Sequence, residues 1–284
     1  MLHAEGRAPT RRLPLMKRIP AFLLALWPLF AVAHGDLHER LDALSARLRV
    51  DPTNAALHLE RGNLRRQHGD LVQAIDDFAA AAKLDPKLDG VDLALGRTLF
   101  ASQDWAAACT AMDRHLQGHP DHATALLLRA RCLVLLGDNR RAAADFERGI
   151  ALCREPQPDD FLDRANAMLT LGSVDDALRG LDEGIARLGP AVSLQLRAID
   201  LEIAAGRFDA ALDRLARAAG PDAHHDIWLE RRAIVLRQAG RDNEAAAEAQ
   251  EALRLIAALP PSRRAFAAVT ERERRLRAIL AVSP

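Results

Sequence analysis

The chain has 284 residues, with 39 Lys and Arg against 39 Asp and Glu, three Cys, no Tyr and 4% aromatics. Residues 1–33 hold five of the bases and one of the acids, so residues 34–284 carry 34 bases against 38 acids, a net charge of −4. That sign argues against a nucleic-acid partner and against an anionic lipid surface, both of which need a basic face; the weight of Ala, Leu and Arg, with no β-branched runs, predicts helix throughout.

In chain order, Met1–Arg12 shows no apolar period. Met16-Lys17-Arg18 then leads into the apolar run Ala21–Phe30 and the small-x-small end Ala31-Val32-Ala33. A basic start, a short apolar run and such an end make a secretory signal peptide over residues 1–33, and Met16 offers a second start. The run is too short for a membrane span, which needs about 20 apolar residues, and Pro28 interrupts it. No Cys follows it, so no lipid anchor is expected. The expectation is export into a bacterial periplasm, with no membrane span after cleavage.

From His34 the pattern changes. Asp36 with Glu39 reads as a capping box, and Leu37, Leu41, Leu44 and Leu48 form an apolar stripe at helical spacing. This predicts a capping helix over 34–50, ending at Asp51-Pro52.

Residues 51–258 repeat. Ala74, Ala108, Ala142, Ala177, Ala211 and Ala245 are separated by 34, 34, 35, 34 and 34 residues. Five residues before each stands a turn position: Gly69, Gln103, Gly137, Gly172, Gly206, Gly240. Four residues after each stands an apolar one: Phe78, Met112, Phe146, Leu181, Leu215, Ala249. Twelve before lies a small residue in five of the six copies, with Ile199 the exception. Gly between two helical patterns supplies a left-handed cap. The small residue and the Ala let two backbones approach, and the larger side chain fills the space beyond. Each copy is therefore a helix hairpin, and hairpins must stack to bury their faces. After Pro260-Pro261, residues 259–284 read as a closing cap, with Phe266, Val269, Leu276 and Leu280 as its apolar face.

The stretch AALHLERGNLRRQHGDLVQAIDDFAAAAKLDP, residues 55–86, resembles the tetratricopeptide repeat family, because period, Gly, Ala, Phe and Pro coincide. The resemblance implies an all-α fold: a right-handed superhelical solenoid of six hairpins between an N-terminal and a C-terminal capping helix. It also implies a non-catalytic scaffold for a protein or peptide segment, without cofactor. In that family the first helices line a concave groove. Threaded onto it, Asn63, Arg97, Arg131, Asn166, Asp200 and Ile234 form one stripe, and Arg66, Phe100, Val134, Leu169, Ile203 and Arg237 the other. Amides and Arg can hold an extended backbone or a carboxylate while the apolar stripe takes side chains; the competing reading packs that stripe inside a tight superhelix. An adaptor role through the convex face or the caps is a further alternative.

Other candidates are weaker. Arg61, Arg129 and Arg232 each precede an acid by sixteen residues (Asp77, Asp145, Glu248), which reads as an ion pair across the hairpin. There is no GxSxG, Walker loop, GxGxxG or HExxH. Cys109, Cys132 and Cys153 make no CxxC; the first two fall in apolar helical registers, and an odd count allows one disulfide and one thiol. His119, Asp121 and His122 share one loop, and His224, His225 and Asp226 another; the repeat places no third or fourth ligand nearby, so both read as exposed loop and cap residues. If cleavage follows Ala33, the free amine and imidazole of His34 with His38 form a candidate copper site, an alternative function resting on ligand type alone.

Overall fold

A computed structural model describes residues 27–189, 191–219 and 225–281, with side chains from Leu37 onward except His225. The described residues form fifteen helices, α1 (Trp27–Val50), α2 (Ala55–His68), α3 (Leu71–Leu84), α4 (Val91–Ala101), α5 (Trp105–Gly118), α6 (Ala123–Leu135), α7 (Asn139–Leu152), α8 (Pro158–Thr170), α9 (Val174–Leu188), α10 (Val192–Ala204), α11 (Phe208–Ala218), α12 (His225–Gln238), α13 (Asp242–Ala258), α14 (Pro261–Arg264) and α15 (Ala267–Ala281), with no strand among them. Among these residues no helix is long and apolar enough to cross a membrane. Two compact units are present, up to Leu88 and from Asp89 onward.

In the first unit, α2 and α3 form a hairpin and α1 packs on α2. Its core is Leu44, Leu48, Leu57 and Leu64, with Leu37 and Leu41 beside it, so the leucine stripe of α1 is its buried face. The helix runs back to Trp27, which places Asp36 inside it rather than at its cap. Ala31 to Ala33 carry no helix breaker, so nothing in that stretch stops the turn.

The second unit repeats one hairpin five times: α4 with α5, α6 with α7, α8 with α9, α10 with α11, α12 with α13. Each second helix also packs on the next first helix, and α4, α6, α8 and α10 touch in succession. All six turn positions have positive φ, including Gln103 at 66°, which occupies the left-handed region without being Gly. The following Asp104 and Asp138 each cap a second helix by accepting a backbone N–H three residues on. The repeat alanines are fully buried, as are Phe78, Met112, Phe146, Leu181 and Leu215.

At the C-terminal end, α15 packs on α12 and α13 and puts Leu276 and Ile279 into a core with Ala245, Ala249, Ala252 and Ile256. Val269 and Leu280 pack at its edge. Phe266 differs from the sequence expectation: it lies between α14 and α15 and is 63% exposed. The double proline starts a separate short helix, which breaks the register that would have carried Phe266 inward.

Candidate functional site

The side chains that carry chemistry gather on the face built by successive first helices of the second unit. One cavity of about 220 Å³ is lined by Phe100 of α4, Arg131, Val134 and Leu135 of α6, Phe146 of α7, and Asp163 and Asn166 of α8. A second, of about 410 Å³, is lined chiefly by Ile199, Asp200 and Ile203 of α10, by Glu230, Arg231 and Ile234 of α12, and by Arg275 of α15. Each has an apolar floor and charged or amide groups at its rim. The floor exists because positions three apart on one helix share a face: Phe100, Val134 and Ile203 recur at one level of the repeat, and Ile234 stands three residues earlier, at the level of Arg131 and Asp200.

The polar stripe is paired along the array. Arg131 donates to Asp160 at 2.7 Å and Asp163 at 2.9 Å, both on the next first helix. Burial works against the charge of Arg131, yet hydrogen bonding to Asp163 and the fields of both carboxylates carry its pKa upward overall. Asp160 is itself buried and also accepts the backbone N–H of Gln157 at 2.8 Å, so it fixes the start of α8 and the head of Arg131 together. One repeat on, Arg197 donates to Asn166 at 2.8 Å. Beyond that, Arg231 lies 3.6 Å from Asp200. Arg97 is exposed and near enough to His122 to lower the pKa of that imidazole. Arg237 lies 3.3 Å from Asp242. Asn63 and Arg66 are half-buried in the first unit, where the Arg66 Nε is buried without a hydrogen-bond partner among the described residues.

The three ion pairs spaced by sixteen form: Arg61 to Asp77 at 2.6 Å, Arg129 to Asp145 at 2.6 Å and Arg232 to Glu248 at 2.9 Å. Two of them extend into networks. Asp77 also receives Arg65 at 2.8 Å and His58 at 3.3 Å, and Arg129 reaches back to Asp113 at 2.7 Å. The hydrogen bonds to Asp145 raise the Arg129 pKa, burial opposes them, and the hydrogen bond to Asp113 adds to the rise.

A second constellation sits where α5 ends and α6 begins. His115 is 7% exposed in the last turn of α5, and its ring stacks on His119 at 4.8 Å and meets His122 edge-on at 4.8 Å. His119 Nε2 lies 3.0 Å from Asp89 Oδ1. His122 caps α6, its Nδ1 accepting the N–H of Ala125 at 3.3 Å. Burial first, and then the neighbouring imidazoles, push the His115 pKa below the usual histidine value; burial, Arg97 and His119 do the same for His122. The expectation that the loop lacked further ligands is therefore corrected: the hairpin brings Asp89 and His115 to His119. The available signal was His115 four residues before His119, which one helix face carries together.

The remaining candidates stay apart. Asp121 faces Arg148 at 2.5 Å. His224 lies outside the described residues, while Asp226, in the first turn of α12, holds Arg272 at 2.7 Å. The side chain of His34 also lies outside them, and the His38 ring packs edge-on against His68 at 4.9 Å. Cys109, Cys132 and Cys153 are free thiols, the first two buried. Burial pushes the Cys132 thiol up to about 12 and raises that of Cys109.

Hairpins of this length, a left-handed turn in each, and the close approach of Gly62 to Phe78 and of Gly96 to Met112 define a tetratricopeptide array. The sequence profile of the tetratricopeptide repeat matches residues 31–89 and 93–160, and these residues belong to that repeat family. Among solved structures, a tetratricopeptide repeat protein from Parabacteroides merdae ATCC 43184 is 18% identical with a TM-score of 0.52, covering 90% of this chain and 99% of that one. MamA 41-end from Desulfovibrio magneticus RS-1 is 15% identical with a TM-score of 0.51, covering 60% and 96%. The structure of Naa15/Naa10 bound to HypK-THB gives 14% identity and a TM-score of 0.54, covering 88% of this chain and 44% of that one. No curated protein matches the sequence.

Proposed function

We propose that this chain is a non-catalytic scaffold that takes an extended polypeptide segment along the first-helix face of its second unit. The observation that carries the reading is the pair of cavities on that face, each with an apolar floor between charged or amide rims. An extended segment needs that alternation: pockets for side chains and polar groups for its backbone. Because Arg131, Asn166 and Asp200 already bind or face the next helix, they act as fixed rim groups, and selectivity falls to Phe100, Val134, Ile203 and Ile234. The Naa15/Naa10 structure, similar in fold, is itself seen bound to HypK-THB. The basic start, apolar run and Ala31-Val32-Ala33 end support export to a periplasm, with the working chain beginning at His34.

The test places a photo-crosslinking residue at Val134 or Ile203 in the full chain, expressed in its own host, with a convex-side control at Thr110. Crosslinked polypeptide from the first two sites, lost on Phe100→Ser with Ile234→Ser, is expected. Equal adducts at Thr110, or adducts indifferent to the double variant, would move the interaction to the convex face or the caps. The mass of the recovered chain reads the export step, and one beginning at His34 is expected.

A further inference from the structure

The histidine corner at the end of α5 is not used by the scaffold reading. Asp89, His115 and His119 each offer one ligand atom, and the three atoms lie within 4.8 Å of one another. They reach this point from different places: Asp89 precedes the N-cap of α4, His115 lies in the last turn of α5, and His119 is its C-cap. The two histidines sit four residues apart on one helix face, the spacing at which two imidazoles can grip one ion.

Three features separate this corner from an ordinary packed histidine. The His115 Nε2 is buried and has no hydrogen-bond partner among the described residues, a state that native interiors nearly always avoid. Asp89 Oδ1 accepts the N–H of Gly90 at 2.8 Å, which orients the carboxylate as an outer contact would orient a ligand. The side chains of Asp89 and His119 are 77% and 50% exposed, so the inner nitrogen is reached through an open rim with room for water. His122 stays outside the set, because its Nδ1 accepts the Ala125 N–H and its Nε2 then carries the proton.

We propose that Asp89, His115 and His119 bind a divalent first-row transition ion of the zinc class, with water completing the coordination. The donor set selects it. Two imidazoles and one carboxylate suit zinc and its neighbours, whereas calcium and magnesium ask for oxygen throughout and copper(I) for sulfur. Ligand bonds of about 2.0–2.2 Å would draw the three atoms closer than they now stand, which rotation of the exposed Asp89 and His119 side chains supplies. The ion would bridge the residue ahead of α4 to the end of α5 and so close the open end of that hairpin. The ion binds the folded chain alone, and its binding therefore raises the thermal midpoint.

The experiment titrates the full chain, freed of metal by chelator and exchanged into buffer, with Zn²⁺ against a competing chromophoric chelator. Co²⁺ is then substituted to record its visible absorption. One ion per chain, a higher Tm and a tetrahedral Co²⁺ spectrum are expected. Asp89→Asn and His119→Gln change exposed side chains, so circular dichroism should be unaltered while affinity falls about 10-fold or more for each. Their combination should abolish the spectrum, and His34→Ala with His38→Ala should leave it unchanged. Absence of binding at micromolar Zn²⁺, binding indifferent to the Asp89 and His119 variants, or binding lost only with His34 and His38 would overturn the proposal. Because Phe100 and Ile234 are no part of this corner, failure here is separate from failure of the groove.

Discussion

Asp145 shows how single residues hold this array together. It is 9% exposed and takes two hydrogen bonds from Arg129, at 2.6 and 2.7 Å, while the third arm of that guanidinium crosses to Asp113 of the preceding repeat. Arg129→Met removes all three bonds and leaves a nearly dry carboxylate without its counter-charge. The expected loss is about 3 kcal/mol, read as a lower midpoint in urea unfolding. Gln103 gives the opposite sign. Its φ of 66° strains any residue with a Cβ, and Gly stands at the other five turns. Gln103→Gly should stabilise by about 0.5–1 kcal/mol, after the greater freedom of Gly in the unfolded chain is set against the relieved strain. The histidines add a pH dependence. His115 and His122 are held neutral in the fold, with pKa values below the ordinary one. As pH falls below about 6.5 the unfolded chain takes up protons that the folded chain still refuses, so stability declines on acidification. In chelator, Tm should drop between pH 7.5 and 5.5, and His115→Gln should flatten that slope.

Each hairpin depends on a close approach of its two helices. A Cβ built at Gly62 would meet the ring of Phe78 at 2.6 Å, and that ring is fully buried. Gly62→Val therefore forces ring and helix apart, with an expected cost of about 2 kcal/mol by chemical denaturation. The reverse defect is a hole. Phe146→Ala empties the contact at the centre of the α6–α7 hairpin and should cost about 3–5 kcal/mol. The same side chain floors the cavity beside Phe100, so this variant should also alter what that cavity accepts. At the level of the element, packing and recognition draw on one set of side chains.

Across the molecule, stability is a sum of hairpins and of the contacts between neighbours. The C-terminal cap matters because α15 covers Ala249, Ala252 and Ile256 with Leu276 and Ile279. A chain ending at Leu259 should expose that surface. Its unfolding should broaden and its midpoint fall, with gain of solubility-limited association by light scattering.

The repeating helix hairpin is legible in the sequence because its determinants are local. Period, turn glycine, buried alanine and the sixteen-residue ion pairs all act within one hairpin, where the backbone geometry of two helices fixes who meets whom. The apolar floor followed for the same reason, since spacing along a helix sets its face. What only the tertiary structure decided lies between hairpins. Arg131 reads as a free groove cation until Asp160 and Asp163, 29 and 32 residues on, are folded against it. His119 reads as a loop residue until Asp89 and His115 converge on it, and His122 until the His115 ring meets it edge-on. Partner choice there depends on the offset between successive repeats and on where long side chains find an opposite charge, and neither is written in the spacing of a single strip of sequence.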